Sequence, residues 1–269
     1  MTQAIRVPWS RDELVVVCGL YFTLPFGKMH SRNPTIIAVA DLLGRTPSSV
    51  AMKLVNFASL DPAQRARGIR GLAGHSRADA TVWSDFANDW DHMTVLSEAA
   101  LQRLRAKLVG RVIVSPAVAL NMEGAPTESE RIVKVRIMQS FFRKVVLAAY
   151  DSRCCITGTP VRDLLVASHI LPWGDFPAER LNPRNGLCLV AHFDRAFDRG
   201  LISVDGGGRL ILSPVLRSYL PNDAIESEFA SREGQPLLCP ERFSPDPSFF
   251  TYHRSRIFRK TKEGAYGRQ

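Results

Sequence analysis

The stretch from Leu165 to Gly200, LVASHILPWGDFPAERLNPRNGLCLVAHFDRAFDRG, constrains this chain more than any other part of it. A strand-like apolar run carries His169, a loop punctuated by Pro and Gly carries Asn185, and an acidic helical segment containing His192 ends at Gly200. The order is strand, loop, helix. Side chains one helical turn apart share a face, so Asp194 and Asp198 can point at one cation. His192 and Asp194 project to nearly opposite faces of a regular helix, which selects the two aspartates as the candidate metal pair. His169 is a natural base, because a neutral imidazole is available near pH 7 without a large pKa shift.

The words ASHILPW, NPRNGLCL and FDRGLI stand in the order and spacing of the HNH nuclease motif of the ββα-metal fold, and the stretch resembles that family as it occurs in restriction and phage-defence proteins. His169 stands in place of the first H, Asn185 in place of the N, and the third position falls near Asp194. The resemblance implies an α+β protein that hydrolyses DNA phosphodiesters with one divalent ion, leaving 5′-phosphate and 3′-hydroxyl ends. Such a reaction needs a base for water and a cation against the charge building on phosphate. Ligation by Asp194 and Asp198 favours Mg²⁺ or Mn²⁺ over thiolate-bound zinc. Asn185 either ligates the metal through its side-chain carbonyl or pins the loop that holds His169. Two positions depart from the family. Ser168 stands where many relatives carry an acid or a second histidine, and Asp194 where histidine is common.

Taken singly, His169 reads as a strand histidine, Asn185 as a turn former before Gly186 and Asp198 as a helix-end cap. In register with the flanking words they read as catalytic and metal-binding residues. Two other readings stay open: a DNA-binding regulator on a decayed nuclease fold, and a nuclease acting on RNA. Target sequence and dependence on base modification are not legible.

The resemblance is strongest over Gln139 to Val204, moderate over Trp9 to Pro62 and weak between. At the N-terminus, Ser10 with Glu13 announces a capped helix. Asn33-Pro34 starts a second helix stopped by Gly44, and Thr46-Pro47 a third. Three short helices with a tight turn before the last form a helix-turn-helix pattern. Val50, Leu54 and Phe57 make one stripe of the third helix, and Ser49, Lys53 and Asn56 another. That polar stripe, with Arg45 just before it, is the expected DNA-binding surface.

A basic stretch with Arg65, Arg67 and Arg70 follows, then Trp83, Phe86 and Trp90 at helical spacing, which read as core. Thr127 with Glu130 opens a long helix whose apolar face includes Ile132, Val135, Phe142 and Val146. Beyond Gly200, LISVD and RLILS flank a glycine turn and predict a hairpin. The tail is basic from Arg254 to Lys262, and His253 reads there as exposed or phosphate-contacting. The expected organisation is a helix-turn-helix-like module over 1–62, a helical connector over 63–126, the nuclease domain over 127–222 and a basic extension over 223–269.

With 45% hydrophobic and 23% charged residues, the composition is that of a globular protein, and its net charge of +9 suits a polyanionic partner. No run is apolar for long enough to span a bilayer and no signal-peptide pattern is present, so the expected setting is cytoplasmic, with no membrane partner. A homodimer is left open. The five cysteines lack C-x-x-C spacing and read as reduced, largely buried thiols.

Overall fold

In this computed structural model the described residues are 7–68, 74–109, 128–240 and 242–260. They form two compact units, Met1–Lys144 and Val145–Gln269. Arg70, Thr127 and Lys262 lie outside the described residues.

In the first unit, α1 (Arg11–Thr23) begins where Ser10 and Glu13 close a reciprocal capping box. Its residues Leu14 to Phe22 are all buried, so this helix is the core rather than one face of it. Next come α2 (Pro34–Leu43), capped by Asn33 and ended by Gly44 in the left-handed region, and α3 (Pro47–Ala58), capped by Thr46. The short α4 (Pro62–Ala66) is followed by α5 (Arg77–Asn88) and α6 (Trp90–Val109). The expected connector therefore holds two helices that pack on α1 in the same unit. Phe22 lies 5.2 Å from Trp83, 5.3 Å from Phe86 and 4.6 Å from Trp90. Each such ring contributes about 1.5–3 kcal/mol by burial. Gly19 is required at the α1–α6 crossing, since a Cβ there would come within 2.4 Å of Ser97 Oγ.

The expected DNA-facing stripe is corrected by this packing. Lys53 and Asn56 are each only 8% exposed. Lys53 Nζ is paired with the buried Asp79 carboxylate at 2.9 and 3.0 Å, and Asp79 also closes the capping box of α5 with Ser76. Ser49 is half-buried and donates to Thr46 O. Arg45 bonds both carboxylate oxygens of Glu13 and the carbonyls of Val7 and Pro8, with Trp9 beneath it at 4.4 Å. The physical reason is that α3 is covered by α1, α2 and α5, so two faces of it meet protein. Met52, half exposed, stands on its open side.

The unit boundary falls inside α7 (Glu128–Ala149). Of its expected apolar face Ile132 is 46% exposed, whereas Met138, Phe142 and the run from Val145 to Tyr150 are buried. In the second unit β1 (Leu165–His169) pairs antiparallel with β2 (Gly186–Val190), with His169 opposite Gly186. Then follow α8 (Ala191–Asp198) and the expected hairpin of β3 (Ile202–Val204) and β4 (Leu210–Leu212), whose turn is tied by Asp205 Oδ1 accepting from Gly207 and Arg209. Two short helices, α9 (Pro214–Arg217) and α10 (Asp223–Glu228), precede α11 (Pro247–Arg256). Small antiparallel sheets among helices make this an α+β fold. Cys18, Cys154, Cys155 and Cys188 are buried free thiols, and Cys239 is exposed.

Candidate active site

His169 ends β1 as a half-buried side chain. Its Nε2 lies 3.0 Å from the carbonyl oxygen of Arg180. A carbonyl can only accept, so Nε2 carries the proton and Nδ1 is the basic nitrogen of the neutral ring. Burial lowers the pKa of His169 from its ordinary value, and the Arg180 carbonyl and the nearby Asp194 carboxylate offset only part of that. The imidazole is therefore neutral at pH 7, the form a base requires. Trp173 closes one side in a T-shaped contact, with the ring centroids 5.3 Å apart.

Asn185 is 1% exposed, and its amide is fully engaged. Oδ1 accepts from Leu171 N at 2.7 Å, while Nδ2 donates to Leu171 O at 3.3 Å and to Glu179 O at 3.1 Å. Of the two expected roles these hydrogen bonds match the pin. Asn185 ties the chain just after His169 to the residue just before Arg180, so it acts on the imidazole through the backbone. These bonds have the geometry of a positioning residue, the second of its two expected roles. Ser168 is buried on the opposite face of the strand from His169, where its hydroxyl has no hydrogen-bond partner among the described residues.

The third component comes from α8, a two-turn helix whose Phe193, Ala196 and Phe197 are buried. That packing turns Asp194 and Asp198 to another face. Partial burial and then the neighbouring Asp194 push the pKa of Asp198 up to about 6, against the pull of Arg195 and Arg199. Asp194 acts on both His169 and Asp198, and two carboxylates repelling each other suit a cation between them. Among the described residues no group of three His, Cys, Asp or Glu side chains could enclose a metal ion. Two carboxylates fit Mg²⁺, which commonly takes its other ligands from water and substrate phosphate. His192 points elsewhere: it meets Glu228 at 3.4 Å and lines a separate cavity with Thr157, Thr159 and Arg232.

Sequence reasoning missed the support of α8. His253 on α11 is buried rather than exposed. It stacks on Phe197 at 3.8 Å, its Nε2 meets Phe197 O at 3.1 Å, and Ser203 Oγ meets Nδ1 at 2.9 Å. Because the carbonyl accepts from Nε2, the Ser203 hydroxyl donates to Nδ1, an arrangement for the neutral ring, and burial lowers its pKa to about 4. Gly200, with φ +65°, lies so close beneath Ile257 O that a Cβ would overlap it. The expected basic extension thus closes the carboxyl end of the aspartate-bearing helix. Neither contact has a local sequence signal. The Arg180 carbonyl has none either, since every residue carries that atom.

A family model described as HNH endonuclease matches residues 154–205, the segment that holds His169, Asn185, Asp194 and Asp198. No curated protein matches the chain. The matched segment is an HNH domain, which implies nuclease activity and a nucleic-acid substrate. Among the described residues no helix is long and apolar enough to cross a membrane.

Proposed function

We propose that this HNH domain is a metal-dependent endonuclease that hydrolyses DNA phosphodiester bonds. The observation that carries the reading is a neutral imidazole aimed by a backbone carbonyl and close to the Asp194 carboxylate, which in turn acts on Asp198. His169 Nδ1 takes a proton from water, the water oxygen attacks phosphorus, and the bond from phosphorus to the 3′-oxygen breaks, that oxygen taking a proton from solvent to leave as a hydroxyl. Asp194 and Asp198 would hold a divalent ion, Mg²⁺ or Mn²⁺, which would supply positive charge against the phosphate and the departing oxygen. The Arg180 carbonyl keeps the ring oriented and stabilises its charged form once the proton has moved. The products are 5′-phosphate and 3′-hydroxyl ends.

A role in restriction or phage defence, in the cytoplasm, is the setting we propose from the wording of the motif. The net charge of +9 supports a polyanionic substrate. DNA engagement by the first unit stays part of this reading through the open side of α3, because Arg45 and Lys53 are engaged in packing.

The test is incubation of the full chain with supercoiled plasmid, phage DNA and a structured RNA, each with Mg²⁺, with Mn²⁺ and with chelator. Metal-dependent cutting of DNA that His169→Ala abolishes is the expected result. Cutting confined to RNA reassigns the substrate, and undiminished cutting by His169→Ala removes the imidazole from the mechanism.

A further inference from the structure

The loop between β1 and β2 holds a guanidinium without an anion. Arg180 is half-buried. Its Nε donates to Trp173 O at 2.8 Å, and its Cζ lies 5.2 Å from the Trp173 ring centroid. The same indole meets the His169 ring in a T-shaped contact, with centroids 5.3 Å apart. One indole therefore meets both the guanidinium and the imidazole. The next arginine along the loop, Arg184, is paired with Asp246 at 3.2 Å. Arg217 is paired with Glu233 and Arg45 with Glu13. Arg180 has no carboxylate partner among the described residues.

A guanidinium removed in part from water and left without a counter-ion is costly to hold in place. Here it is also restrained, by one N–H bond to a carbonyl and by the face of an aromatic ring. Both Nη groups remain as an uncommitted fork, and a planar fork matches two oxygens of a phosphate. The loop is stiff at this point, because Asn185 Nδ2 holds Glu179 O and Glu179 holds Asn182.

We propose that Arg180 is a phosphate-binding residue of the reaction: its two Nη groups take the non-bridging oxygens of the phosphodiester attacked beside His169. The inference rests on the nuclease reading above and names the group that seats its substrate. It assigns one residue two tasks. The backbone carbonyl of Arg180 aims the base, and its side chain aims the phosphorus, so the separation of attacking water and electrophile is set within a single residue.

Because any side chain keeps the carbonyl, substitution at Arg180 separates the two tasks. The experiment compares wild type, Arg180→Ala and Arg180→Lys for kcat and KM on duplex DNA with Mg²⁺, for thermal unfolding, and for rescue by guanidinium chloride at millimolar concentration. Arg180→Ala is expected to lose roughly 10²–10³-fold in kcat, the usual effect of removing one preorganised donor from a developing charge. Its melting temperature stays close to wild type, and added guanidinium recovers at least about tenfold of the lost rate. The Lys variant, a point charge without the fork, falls between and gains nothing from guanidinium. Wild-type kcat in the Ala variant, or a loss that guanidinium leaves unrestored, overturns the proposal. Should the Ala variant fail to fold, wild-type kcat in a folded Lys variant overturns it. Cleavage by wild type with no effect at Arg180 removes this inference alone. If wild type cuts no nucleic acid, the nuclease reading falls and takes the inference with it.

Discussion

Replacing Asn185 with Ala tests whether it is a pin or a participant in the chemistry. The substitution deletes three hydrogen bonds, at 2.7 Å to Leu171 N, 3.3 Å to Leu171 O and 3.1 Å to Glu179 O, all at a site that is 1% exposed. Leaving the buried Leu171 N–H without an acceptor costs about 1–3 kcal/mol, and two carbonyls that each lose a neutral donor add roughly 0.5–1 kcal/mol apiece. The sum is about 2–5 kcal/mol. With a urea slope of about 2 kcal/mol per molar for a unit of this size, the unfolding midpoint should fall by about 1–2.5 M. Hydrogen exchange at the Leu171 amide should lose protection by a larger factor than at the β1–β2 amides, because the tie is local. Cleavage should fall with it, since Arg180 no longer stands where His169 needs its carbonyl. Asn185→Asp sharpens the comparison. It preserves an acceptor for Leu171 N but sets a carboxylate oxygen against the carbonyls of Leu171 and Glu179, so it should destabilise as well. A metal ligand would behave oppositely, with Asp tightening the ion and stability unchanged. Wild-type urea midpoints and Leu171 protection in both variants, together with lost cleavage, would refute the pin.

Calorimetric titration with Mn²⁺ should show weaker binding in Asp194→Asn and Asp198→Asn. In wild type the affinity should decline as pH drops below about 6, because a proton then competes with the cation for Asp198. Unchanged affinity in both variants, with a loss in His192→Ala, would place the ion on the other face of α8. His253 should make the second unit acid-labile. Its folded pKa, about 4, lies below the ordinary histidine value, so the stability it contributes is complete above about pH 6.5 and is lost as pH falls through that window, by up to about 3 kcal/mol. Urea midpoints measured from pH 7 to pH 4 in wild type and His253→Gln check this, and parallel curves would exclude it. Asp79→Ala leaves Lys53 buried without its partner and should cost about 3–5 kcal/mol, whereas Lys53→Met with Asp79→Leu should recover most of that. Thermal melts of the three proteins decide it, and a melting temperature for Asp79→Ala equal to wild type would mean that Lys53 reaches water freely.

The helices and the hairpins were legible in the chain because their signals are local. Ser10 and Glu13, Asn33 before Pro34, Thr46 before Pro47, and the glycines between Asp205 and Arg209 each act over a few residues, and each element begins or turns where those residues stand. The segment holding His169, Asn185, Asp194 and Asp198 was legible for a related reason: β1, the loop, β2 and α8 are consecutive, and helical spacing alone puts the two aspartates on one face. What an exposed-looking side chain meets is a different matter. Ser49, Lys53 and Asn56 share a polar stripe whether that stripe faces DNA or an acid in another helix, and Asp79 lies far along the chain from Lys53. His253 looked like part of a basic tail because its partners, Phe197 and Ser203, are likewise distant in sequence. The atom that orients His169 is a backbone carbonyl, identical in every residue type. Residue types and their spacing determined which groups were available for chemistry and which local elements would carry them. Tertiary packing alone decided which charges are neutralised inside the protein, which polar atoms become ties, and which guanidinium keeps its N–H groups for a substrate, because each outcome depends on what distant elements bring within hydrogen-bonding distance.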